Sequence, residues 1–61
     1  MKDARVALHE LRDYFEQKRN LAICKRWEET DKLQDALLTC EIGTYNHAME
    51  MADTYIRELP K

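Results

Sequence analysis

Apolar residues recur at steps of three and four along almost the whole chain, and in 61 residues only one Gly and one Pro interrupt them. That spacing gathers apolar side chains on one face of an α-helix, whereas strands would need alternation and far more turn chemistry. The chain is therefore expected to be all-α. Its 36% charged and 44% hydrophobic content agrees with helices that have one greasy and one solvated side.

Size sets the next limit. A domain of 61 residues buries only about 60% of the surface that its unfolded chain exposes, so a lone core is marginal and a partner chain is expected to complete it. No apolar run approaches the roughly 18 residues of a membrane span. Met1-Lys2-Asp3-Ala4-Arg5 leads into no hydrophobic signal core, so a cytoplasmic location with no membrane partner is expected. In that reducing setting Cys24 and Cys40 are expected to be buried thiols that behave as small hydrophobes.

Asp3 is the natural N-cap of a first helix, whose face carries Ala4, Ala7, Leu8, Leu11, Tyr14, Phe15, Leu21 and Ala22. Beyond Ala22 the phase moves, with Ile23, Cys24, Trp27, Leu33, Leu37 and Leu38 on another side of the wheel. Two arrangements resolve the shift. One is a single bent helix over about residues 3–41; the other is a break near 28–31, where Thr30 or Asp31 can cap a new helix and Gln34 follows Asp31 by three. Gly43 followed by Thr44 predicts a turn at 42–44, since Gly suits a helix end and Thr a helix start. A last helix over 45–59 then carries Tyr45, Ala48, Met49, Ala52, Tyr55 and Ile56 before Pro60 ends it. The expected fold is thus one all-α domain: a long N-terminal helix, bent or broken near 28–31, and a C-terminal antiparallel helix hairpin, assembled as a dimeric helical bundle. The hairpin core would hold the residues of that last stripe together with Leu33, Leu37 and Cys40.

Gly43-Thr44-Tyr45-Asn46-His47-Ala48-Met49, followed by Tyr55, Ile56 and Pro60, resembles the turn and second helix of a tetratricopeptide repeat. The resemblance spans about residues 36–60, and Asp35 and Thr39 stand where that family places large apolar residues. It implies an antiparallel helix hairpin of the kind that stacks on others and binds peptides or proteins.

Charge is unevenly placed: residues 1–32 hold eight basic and seven acidic side chains, and residues 33–61 hold two and five. The two parts are expected to lie against each other, or against a second copy. Arg5, Arg12, Arg19 and Arg26 repeat at a period of seven, with Lys18, Lys25 and Lys32 beside them. A ridge of this kind suits nucleic-acid phosphates, through Arg12, Lys18, Arg19, Lys25 and Arg26. A solvated flank laced by Glu16 with Arg12 and Arg19, Glu28 with Lys32 and Glu29 with Lys25, or a flank charged toward a partner chain, fits the sequence pI of about 5.6 better.

Catalytic and metal chemistry find little footing. The chain has no Ser, no Gly-rich phosphate loop and no local nucleophile–base pair, and the adjacent Glu28 and Glu29 diverge by about 100° on a helix. His9 with Asp13 and His47 with Glu50 fall short of three ligands, and the cysteines lack knuckle spacing, so neither metal nor cofactor is expected. The expected role is association. Leu8, Leu11, Phe15 and Leu21 would form a dimer or partner seam, and Trp27 and Met51 would contact a further protein. That is the profile of a small non-catalytic adaptor or inhibitor, such as phages and other mobile elements encode; a nucleic-acid-binding regulator is the alternative.

Overall fold

The computed structural model describes residues 3–60 and consists of two helices, α1 (Ala4–Glu28) and α2 (Lys32–Glu58), packed antiparallel as a hairpin. Local chemistry explains each boundary. The Asp3 carboxylate accepts from the Arg5 backbone N–H at 3.0 Å and caps α1. Lys25 and Arg26 in the last turn suit the negative end of the α1 dipole. Asp31 caps α2 by accepting from the Leu33 N–H at 2.9 Å, and Asp35 sits in the first turn of α2. The reciprocal bond that a capping box would assign to Gln34 comes from the other side, because Glu29 Oε1 accepts from the Asp31 N–H at 3.0 Å.

The chain thus reverses at 29–31, the second of the two arrangements open in the sequence. Gly43 lies inside α2 with no left-handed backbone, and the expected 42–44 turn is not formed. An exposed Gly in a helix interior costs only about 1 kcal/mol relative to Ala. Reversal at 29–31 gives helices of 25 and 27 residues that pair along their full lengths, whereas reversal at 43 would leave most of the first segment unpaired. The turn of the tetratricopeptide-like segment is accordingly absent, and residues 45–58 continue the helix begun at Lys32.

The core differs from expectation for the same reason. Ala22, Met49 and Ala52 are buried, with Leu8, Phe15, Ile23, Leu38, Ile42, Tyr45 and Ile56 half-buried around them. Leu33, Leu37 and Tyr55 are exposed, because residues 33–41 belong to the same helix as 45–58 and cannot fold back on them. The phase shift after Ala22 creates no second buried face, since Cys24 and Trp27 point to solvent. Both cysteines are free thiols on the exposed surface and not members of the core. No helix among the described residues is long and apolar enough to cross a membrane.

Candidate interaction surface

The α1 side facing α2 reads Arg5, Leu8, Arg12, Phe15, Arg19, Ala22, Arg26, alternating a large cation with an apolar residue at steps of three and four. The arginines reach across the hairpin. A guanidinium nitrogen of Arg5 donates to the Pro60 carbonyl at 2.7 Å, Arg12 Nε to Asp53 at 2.7 Å, and Arg19 to Asn46 at 3.1 Å. As one partner advances by seven the other retreats by seven, which is the register of antiparallel helices paired along heptads. Arg26 leaves this rule and donates to Asp35 at 3.0 Å, one turn nearer the reversal.

Arg12 also binds Glu16 at 3.2 Å; its guanidinium pKa is raised, first by the hydrogen bond to Asp53 and then by that carboxylate's charge. Arg19 has a weaker set. It has Asn20 at 3.2 Å, Glu16 at 3.9 Å and the neutral Asn46 across the hairpin, and its buried Nε has no hydrogen-bond partner among the described residues.

The expected links of Glu16 to Arg12 and Arg19 are present. Those of Glu28 with Lys32 and Glu29 with Lys25 do not occur among the described residues, because the chain leaves the helix at Glu29. The ridge is thus partly a clasp within the chain: Arg12, Arg19 and Arg26 engage α2, while Lys18 lies 5.5 Å from the Tyr14 ring centroid. Half of this device could have been found in advance, since Pro60, Asp53 and Asn46 repeat at seven in the opposite direction.

A second stripe runs one residue ahead of the first. On α1 it comprises Leu11, Tyr14, Lys18, Leu21 and Lys25; on α2, one residue ahead of the inward Leu38, Ile42, Tyr45, Met49, Ala52 and Ile56, it comprises Leu37, Glu41, Thr44, Ala48, Met51 and Tyr55. Antiparallel helices are related by a twofold axis, so equal offsets bring the two stripes to the same face of the hairpin. There Leu8, Leu11 and Phe15 meet Ala48, Met51, Ala52 and Tyr55 around an open, apolar groove of about 340 Å³. Phe15 packs on Tyr14 edge to face at 5.7 Å and on Tyr45 at 6.3 Å, forming the groove floor.

Among the described residues, six of the nine exposed large apolar side chains lie on this one face: Leu11, Tyr14, Leu21, Leu37, Met51 and Tyr55. Of the residues expected to form a seam, Leu8 and Phe15 are partly consumed inside the hairpin, whereas Leu11 and Leu21 stay exposed on the face. Met51 belongs to the groove. Trp27, 84% exposed, follows the inward residue Arg26 and so lies on the opposite side near the reversal.

The whole molecule carries surplus surface. A globular chain of 7.3 kDa exposes about 4,200 Å², but this one exposes 5066 Å², an excess of about 900 Å². Its Cα radius of gyration is 14.3 Å against about 10.5 Å for a compact domain of this length. No group of three or more His, Cys, Asp or Glu side chains able to hold a metal occurs among the described residues. Compared with protein-family models, curated proteins and solved structures, the chain matches none.

Proposed function

We propose that this hairpin is a non-catalytic protein–protein interaction module: a small helical adaptor or inhibitor, assembled as a dimeric bundle, that works by covering its apolar face with polypeptide. One observation carries the reading. Most of the exposed large apolar side chains share a single face, on a molecule whose surplus surface of about 900 Å² resembles the roughly 800 Å² that each partner buries in a standard protein interface. Scattered apolar residues would need no explanation, but a contiguous face on a chain with so small a core does. Trp27, flanked in sequence by Arg26, Glu28 and Glu29, offers a separate aromatic anchor on the other side for a further protein.

The test is affinity capture from extracts of the source cells with wild-type and Leu11→Asp proteins, with circular dichroism to establish that both are helical. A polypeptide enriched by the wild type and lost with the variant, whether a second copy of the chain or a different protein, supports the module; identical captures refute it. In the nucleic-acid alternative, Arg12, Arg19 and Arg26 would have to bind phosphates while also bonding α2. A gel shift at low salt, abolished by reversing the charges of Lys18 and Lys25, would establish that alternative instead.

A further inference from the structure

We propose that the occupant of the apolar face is a second copy of the chain, laid so that each α1 covers its partner's α2 and both 29–31 turns lie at the same end of a four-helix bundle. This inference rests on the interaction-module reading and names its partner.

Three observations lead to it. First, the face spans residues 11–25 of α1 and 37–55 of α2, about 27 Å along a molecule 47 Å long and 18 Å wide, and being two helices broad it fits a pair of helices better than a single short peptide. Second, its periodicity suits helices as the covering elements. Both exposed stripes repeat at three and four in step with the seams that already join α1 to α2, so each helix offers two adjacent seams, as a helix in a four-membered bundle requires. Small residues at Thr44 and Ala48 stand midway along α2, where a facing helix approaches closely.

Third, the charges on the face complement each other between the helices. The stripe on α1 carries Lys18 and Lys25 before it ends at Glu28, the last residue of the helix; that on α2 carries Glu41 and no base. Neither Lys25 nor Glu41 takes part in an ion pair among the described residues, although both border one surface depression and therefore stand at the same level along the hairpin. A twofold axis parallel to the helices lays α1 on the partner's α2 without changing that level. Each Lys25 then meets Glu41 of the other copy, twice per dimer, and every adjacent pair of helices is antiparallel. An axis across the helices would instead stack α1 on α1, placing bases on the basic helix and leaving Glu41 without a cation opposite.

Sedimentation equilibrium of the full chain, with wild type, Leu21→Glu and Met51→Glu at several concentrations, is the first measurement. The expected result is a wild-type dimer and monomeric variants that keep their helical circular dichroism, since Leu21 and Met51 are 57% and 48% exposed in the lone hairpin. Lys25→Glu and Glu41→Lys should each weaken the dimer about tenfold, and the double exchange should restore it.

Orientation is read by pulsed electron paramagnetic resonance from a spin label at Thr30→Cys in a Cys24→Ser, Cys40→Ser background. Turns at the same end give a distance of about 20 to 30 Å between labels, whereas turns at opposite ends give one near the 47 Å molecular length. A long distance overturns the proposed arrangement. A wild type that stays monomeric while Leu11→Asp still abolishes protein capture overturns self-association and with it the dimeric bundle, and leaves only protein binding through the face standing. A monomer whose capture is indifferent to Leu11→Asp removes both.

Discussion

Replacing Gly43 with Ala should stabilise this protein, and the size of the gain follows from the site. Gly43 lies in the interior of α2, has no positive φ, and a Cβ built on it meets nothing within 4 Å. The substitution therefore adds no clash and removes only the entropic penalty of Gly, which amounts to about 0.8 to 1.0 kcal/mol relative to Ala in a helix. For a domain of this size that corresponds to a rise in Tm of about 4 to 8 °C. The assay is thermal unfolding by far-UV circular dichroism at one fixed protein concentration, because self-association would make Tm depend on concentration. Ala36→Gly, at an exposed position in the same helix, is the mirror control and should lower Tm by a similar amount. A turn at 42–44 predicts the opposite sign, since a left-handed Gly replaced by Ala acquires about 1 to 2 kcal/mol of strain. A fall in Tm with Gly43→Ala would refute the continuous α2 helix and restore the hairpin at Gly43.

Further variants probe the caps, the arginine clasp and the exposed indole. Asp31→Ala removes the carboxylate that accepts from Leu33 at the start of α2 and should destabilise by about 1 kcal/mol, measured by urea unfolding; an unchanged midpoint would show that the cap is idle. Asn46→Asp gives Arg19 a charged partner across the hairpin in place of a neutral one and should stabilise by a few tenths of a kcal/mol, the gain fading as salt is raised. Equal Tm values at low and high salt would argue against that contact. Trp27→Ala should leave stability within about 0.5 kcal/mol because the side chain is 84% exposed, and a larger loss would mean that the indole packs on the hairpin.

Helical class and caps were legible in the sequence because they are local. Asp3 and Asp31 bond to backbone N–H groups two residues away, and the absence of breakers between them left helix as the economical state. The same locality made Gly43-Thr44 misleading: those two residues can end one helix and begin another, but whether they do depends on what each alternative leaves unpaired. That decision belongs to the tertiary structure. Antiparallel pairing of α1 with α2 along their full lengths outweighs the small cost of one helical Gly, and it moves the reversal to 29–31.

The candidate surface divides in the same way. Spacing alone identified Leu8, Leu11, Phe15 and Leu21 as apolar and the arginines as a line at a period of seven. It could not say that Leu8 and Phe15 face inward while Leu11 and Leu21 face outward, because neighbouring heptad positions on one helix are both apolar and only the partner helix chooses between them. Nor could it assign Arg12, Arg19 and Arg26 to α2, since their partners lie from nine to 41 residues away in the chain. Local spacing fixes which residues can coil and where their greasy stripes run. The packing of α1 on α2 decides which stripe is spent within the molecule and which stays exposed, because burial is a property of two surfaces in contact and not of one segment.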